Sequence, residues 1–236
     1  MPIDDALAQL GPSIIIPIAN LENYIILEGK NYNSHSYPDL LVSIEKKYHG
    51  SNWRKTQELL SNEESFMLNP RQFCDFIILL LESMFTKQVK VYNGKGNALN
   101  YEKVNYLLRE TIKHKNEWRG EFLDAKFKNI NDEWYMDFNH KIIGGELVAN
   151  NTELLPLDEI LRVDNGYINL LNCNYLGLPK PFISNVKEDI IYYYSPGDNS
   201  IATMRLKPEV NAISLDCNTD IEHRHIKLGV RPVKIR

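Results

Sequence analysis

Between Asp216 and Lys227 the chain carries Asp216, Asn218, Thr219, Asp220, Glu222, His223, Arg224, His225 and Lys227, interrupted only by Cys217, Ile221 and Ile226. Within it, His223-x-His225 with Asp216 and Asp220 is the set whose residue types suit metal ligation. Alternate residues on a strand share a face, so both imidazoles would reach one ion. Spacing places no third ligand, and a metal centre needs both ligand count and geometry, so no metal site is assigned. Glu121 and Asp124, three apart on a helical reading, share a face. They read as a solvated edge, because nothing in the sequence argues for the environment a general acid needs. No HExxH, GxSxG, GxGxxG or DxDxDG pattern occurs. Gly144-Gly145 lacks the lysine of a phosphate loop and reads as a place of unusual backbone angle. No catalytic residue and no cofactor is assigned.

Two apolar ribs, Ala212–Leu215 and Leu228–Val233, bracket the polar stretch. So many large polar side chains are rarely all buried, so the stretch reads as a surface held out by strands. Before it, Tyr24–Leu27 and Ile14–Ile18 are β-rich, and Gly29 ends the former. Leu40, Leu41, Ile44 and Tyr48 recur at helical spacing after Pro38 and predict a helix that Gly50 stops. Further helices are predicted from Ser51 or Asn52, from Asn69-Pro70 with Phe73, Phe76, Ile77, Leu80 and Leu81 inward, and from Asn100 to about His114. Val89–Tyr92 reads as a strand followed by a turn at Asn93–Gly96. Residues 118–127 read as another amphipathic element, with Trp118, Phe122 and Ala125 on one face and Arg119 near Glu121 or Asp124. From Trp134 alternation takes over, with a turn at Asn139-His140, then strands at Ile190–Tyr194 and Ile201–Leu206.

The 236 residues are 43% apolar and 25% charged, ordinary for a globular chain with a substantial core. A net charge of −4 argues against nucleic acid as a partner. Three dispersed cysteines, Cys74, Cys173 and Cys217, read as free thiols in a reducing compartment, with a Cys173–Cys217 disulfide as the alternative. The run Ile14–Ala19 contains Pro17 and follows Asp4 and Asp5, so no signal peptide is expected. Phe76–Leu81 is too short to span a bilayer, so no membrane insertion is expected and synthesis is placed in the cytoplasm. The fold class is α+β: a helix-rich part, 1–133, packed against a strand-rich part, 134–236.

Ile201-Ala202, Ala212-x-x-Leu215-x-Cys217-Asn218 and the closing Leu228-Gly229-Val230-Arg231-Pro232-Val233 resemble the variable proteins of diversity-generating retroelements, known from phages, bacteria, archaea and archaeal viruses. The resemblance implies a C-type-lectin-like fold in the C-terminal half, close to the formylglycine-generating enzymes. It also implies a variable region at about 201–231, rewritten at adenines by an error-prone reverse transcriptase. Mutated AAC or AAT codons reach Asn, Asp, His and Arg, among others. The implied ligand-binding positions are therefore Arg205, Asn211, Asp216, Asn218, Asp220, His223, Arg224 and His225. Lys207, Glu209, Glu222 and Lys227 need a purine third base and stand outside that set. Ile213, Leu215, Leu228 and Val230 would hold the scaffold, Cys217 would face inward, and Arg231 would tie the last strand to the body. The expectation is a monomeric, non-enzymatic binder of a protein or cell-surface ligand, virion- or surface-associated. The alternatives are an enzyme on the formylglycine-generating scaffold, whose paired C-terminal cysteines are not matched by Cys217 alone, and a virion or assembly protein.

Overall fold

Each helix begins where an asparagine satisfies backbone N–H groups that have no partner inside the helix. Asn52 Oδ1 accepts from Lys55 N at 2.8 Å and opens α1, Trp53–Asn62. Asn69 Oδ1 accepts from Gln72 N while Gln72 Oε1 accepts from Asn69 N, a reciprocal box that opens α2, Pro70–Thr86. Pro70 takes the first helical position, where its missing N–H costs nothing. Asn100 Oδ1 accepts from Lys103 N at 2.9 Å and opens α3, Tyr101–Ile112.

The computed structural model describes residues 18–32, 35–86, 89–112, 120–155, 166–168, 173–178, 191–196, 201–208 and 213–236. Their strands are β1 (Tyr24–Leu27), β2 (Lys30–Tyr32), β3 (His35–Tyr37), β4 (Leu40–Ser43), β5 (Glu121–Ile130), β6 (Glu133–Ile143) and β7 (Glu146–Leu154). After them come β8 (Gly166–Ile168), β9 (Ile191–Tyr194), β10 (Ile201–Pro208), β11 (Ile213–Thr219) and β12 (Val233–Ile235). The main sheet has seven strands in the order β7-β6-β5-β10-β11-β9-β8, and a smaller one runs β1-β4-β12. A two-stranded ribbon joins β2 to β3. Pairing is antiparallel except between β11 and β9. The described residues thus form a mixed α+β fold with three α-helices, all between Trp53 and Ile112; a short 3-10 helix, Ile18–Asn23, and four strands precede them.

Two predicted helices are strands. The first, expected from Pro38 to Tyr48, holds β4 instead; Leu40, Leu41 and Val42 are all buried because β4 is the central strand of its sheet. A strand covered on both faces reads as a continuous apolar run, which at short length also satisfies helical spacing. The second, at 118–127, is β5 from Glu121 onward, the third strand of the main sheet, and the same ambiguity applies. Arg119 lies outside the described residues.

The turn expected at Asn139-His140 lies inside β6, where the ladder to β7 continues on both sides, Phe138 opposite Asn151 and His140 opposite Ala149. Asn139 does take φ 54°, a left-handed conformation asparagine tolerates. The chain reverses instead at Gly144-Gly145, with φ 60° and 87°, the two-residue turn that matches strand twist.

The main core joins Ile25, Leu40, Phe76, Phe127, Leu215 and Val233. A second cluster holds Trp53, Leu60, Met67, Phe122, Leu228 and Val230, and so ties the C-terminal residues to α1 and β5. Among the described residues no helix is long and apolar enough to cross a membrane.

Candidate functional site

The polar stretch divides between β11 and the turn after it. On β11, side chains alternate: Cys217 and Thr219 are buried and Asn218 is exposed. Asp216 is cross-strand partner to Arg205 on β10, whose Nε and Nη2 donate to Asp216 Oδ2 at 3.2 and 3.0 Å. These two side chains are only 11% and 13% exposed, and Asp216 Oδ1 also accepts from Asn218 N at 2.9 Å. Arg205 and Asp216 are therefore spent largely on each other and on the backbone.

Beyond Thr219 the backbone is fixed by local bonds. Asp220 Oδ1 accepts from Glu222 N, Asp220 O from His223 N, His225 Nδ1 from Lys227 N, and His225 O from Leu228 N. Asp220, Glu222, Arg224 and Ile226 are exposed, and Ile221, His223, His225 and Lys227 alternate with them half-buried. Ile226 is 78% exposed, far more than a packed isoleucine would be. Asn52 Nδ2, at the start of α1, donates to Glu222 Oε2 at 2.5 Å. His223 Nε2 and Arg205 Nη1 are buried with no hydrogen-bond partner among the described residues. Burial, then the neighbouring Arg205 and His225, lowers the His223 pKa below its ordinary value of 6.5. Burial and Lys227 lower that of His225. His225 Nδ1 is occupied by Lys227 N, and no group of three metal-ligating side chains forms among the described residues. Asn211 lies outside the described residues.

The anchors on the far side are fully buried. Leu228 and Val230 pack into the second core cluster, and Gly229 passes so close to Lys47 O and the His49 ring that a Cβ would lie 2.8 Å from each. Arg231 donates from Nη1 to Ser43 O and Ile44 O, and from Nη2 to Thr111 Oγ1 at 2.9 Å. Its Nε lies 3.3 Å from Glu121 Oε2, which also faces Lys46 at 3.5 Å. Burial pushes the Lys46 amine down to about 8, against the pull of Glu121. Glu121 is thus a buried partner, 1% exposed, and not the solvated edge expected of it.

Asp124 corrects the same expectation in another way. On a strand, residues three apart point to opposite faces, so Asp124 leaves Glu121 and meets β6 and α1 instead. Its Oδ1 accepts from His140 Nδ1 at 2.6 Å and from Gln57 Nε2 at 2.8 Å; its Oδ2 accepts from His140 N at 2.9 Å. The β5–β6 pairing runs from Ile130 to Ala125 opposite Phe138, and Asp124 N turns to Leu68 O. The carboxylate thus takes over the His140 main-chain N–H where the ladder ends. The His140 ring stands edge-on to Trp53, centroids 4.9 Å apart. Asp124, His140 and Gln57 line a cavity of about 400 Å³ between α1, β3 and β6–β7.

The nearby wall is held by Asp75 on α2, which accepts from Lys30 Nζ, Tyr32 Oη, Tyr37 Oη and Arg71 Nη2 at 2.7–3.0 Å. Burial opposes its ionisation, but the bonds from Tyr37 and Tyr32 and the charge of Arg71 outweigh this and hold its pKa low. One residue earlier, Cys74 Sγ lies 3.4 Å from Cys173 Sγ. No cysteine is disulfide-bonded, so Cys173 has Cys74 and not a Cys217 disulfide as its sulfur partner. A signal for the Asp124 pair was present: one carboxylate inside the apolar run Phe122–Phe127 must find buried donors once the run is a strand. Comparison of the chain with known protein families, curated proteins and solved structures finds no match.

Proposed function

We propose that the chain is a ligand-binding protein that recognises its partner through the segment Asn218–Lys227, in the manner of the variable proteins of diversity-generating retroelements. One observation carries the reading. The segment exposes alternate side chains while the residues on either side, Cys217 and Leu228 to Arg231, are fully buried. A surface built this way accepts new side chains at the exposed positions without disturbing the core. Its contact residues are Asn218, Asp220 and Arg224, with His223 and His225 beneath them, and Ile226 adds an exposed apolar contact. A mixture of acid, base, amide and exposed isoleucine suits a protein or cell-surface molecule as the ligand. Arg205 and Asp216 serve in this reading as the floor, since each neutralises the other.

The DNA beside the gene tests the origin of the segment. The expected finding is a near-copy of the stretch encoding about residues 201–231, differing where the copy has adenine, beside a reverse-transcriptase gene. A locus with no such repeat removes the retroelement reading. Binding is tested separately, by selecting partners from a displayed library varied only at Asn218, Asp220, Arg224 and Ile226. Folded variants none of which gains a ligand would remove the recognition role.

A further inference from the structure

The cavity over Asp124 and His140 shares no residue with the Asn218–Lys227 segment, so a ligand held there is independent of any partner bound by that segment. Asp124 accepts from Gln57 Nε2 and from the His140 main-chain N–H, and its 2.6 Å contact with His140 Nδ1 is a hydrogen bond when that nitrogen carries the ring proton. In the neutral ring the other nitrogen, Nε2, then carries a lone pair. No described residue hydrogen-bonds Nε2, and it is not among the fully enclosed polar atoms. Tyr37, Pro38, Leu40, Phe66, Ile142 and Leu147 give the cavity its apolar wall, interrupted by serine, asparagine and glutamine side chains. The charged groups facing the space are Asp124, Glu64 and Lys141, and Glu64 and Lys141 are exposed at its mouth. With two acids against one lysine, the site is poorly suited to a ligand that arrives as an anion. It suits a neutral molecule with an apolar body and one hydrogen-bond donor.

We propose that this cavity binds a small ring compound bearing a weakly acidic hydroxyl, of the phenol class, and that His140 Nε2 accepts its proton. The step balances as one proton transfer. The O–H bond breaks, the N–H bond at Nε2 forms, and the electron pair stays on oxygen. Asp124 stabilises the imidazolium that results, as it already holds the ring. Gln57 donates to the same Asp124 oxygen that faces His140 Nδ1 and acts as a positioning residue. A volume of about 400 Å³ accommodates a ring with modest substituents and not a large polymer.

The probe is 4-nitrophenol, whose ionised form is coloured, titrated into the whole protein at a pH where the free compound is mostly protonated. The expected result is saturable binding with growth of the phenolate band, and at least tenfold weaker binding of 4-nitroanisole, which has no proton to give. His140→Gln and Asp124→Asn should lose the phenolate band. Leu147→Trp, at the half-buried edge of β7, should block binding altogether while leaving the circular dichroism spectrum unchanged. It keeps the test decisive if the two inner variants do not fold. Absence of saturable binding to the wild-type protein, or a phenolate band that survives in a folded His140→Gln, overturns the proposal. So does Leu147→Trp binding as tightly as wild type, or equal affinity for the anisole.

Discussion

The segment Asp220–Lys227 and the Asp124–His140 pair are both rich in groups that do chemistry, yet they are built in opposite ways. The segment takes its polar residues from one continuous stretch, exposes every second one, and satisfies its backbone within itself. The pair draws Gln57, Asp124 and His140 from α1, β5 and β6, buries all three, and fills every acceptor position it uses. A contiguous polar surface is cheap to alter, because its neighbours in space are mostly water. A convergent buried cluster is expensive to alter, because each removed partner strands another group out of solvent. That difference fits the two proposed roles, recognition that changes for the first and a fixed chemical task for the second.

The contrast is tested hardest at Arg231, where the variable-looking tail becomes core. Arg231→Met keeps the stem and removes the fork that bonds Ser43, Ile44 and Thr111 and faces Glu121. Glu121 is then left buried with Lys46, whose own charge burial already disfavours. Losing one partner of a buried network costs about 3–5 kcal/mol. The expected outcome is a large fall in the urea midpoint, partly restored in Arg231→Met/Glu121→Gln. A fall of less than about 1 kcal/mol would mean that the apolar anchors Leu228 and Val230 suffice, and that the boundary between surface and core is softer than the burial pattern implies.

What was legible in the sequence obeys the same division. Asn52, Asn69-Pro70 and Asn100 announced their helices because a cap is a local interaction, readable within four residues. The tail was readable for the same reason: Cys217 facing inward, Leu228 and Val230 as anchors, and Arg231 as a tie all come from a strand–turn–strand pattern in one stretch. β4 and β5 were misread because each is covered on both faces, which erases the alternation that marks a strand. With β5 read as a helix, Asp124 fell beside Glu121 on a solvated face. Its true partner is sixteen residues away across a hairpin, a distance that only the Asn131-Asp132 turn and the β5–β6 pairing explain. Nothing local could have shown the cavity, since its walls come from β3, α1, β6 and β7.

Within the segment itself a gradient is expected. Asp216→Ala removes the Arg205 pair, mostly shielded from water, and the exposed acceptor for Asn218 N. It should cost about 1–2 kcal/mol. Asp220→Ala and Arg224→Ala, four and eight residues further on, should stay within about half a kcal/mol of wild type. Chemical denaturation of the three variants measures the gradient. Equal losses at all three positions would place Asp220 and Arg224 in the scaffold and leave little surface free to vary.

The smallest effect concerns His223, which sits on the boundary between the two kinds of site: half-buried, with Arg205, His225, Asp216 and Asp220 around it. Burial and Arg205 outweigh the two carboxylates and lower its pKa below 6.5 in the folded protein. The unfolded chain therefore binds this proton more readily than the native state does. Stability linked to His223 is complete above about pH 6.5 and is lost as pH falls from there through the folded-state pKa. His223→Gln has no such proton to bind. The difference in unfolding free energy between the two proteins should be constant above about pH 7 and should shift in favour of the variant as the pH is lowered toward about 5. His225 and the carboxylates are present in both proteins, so their own titrations largely cancel in the difference. A difference that stays flat across that range would mean that His223 is as accessible as Asp220, and that the proposed recognition surface extends one layer deeper than its exposed side chains.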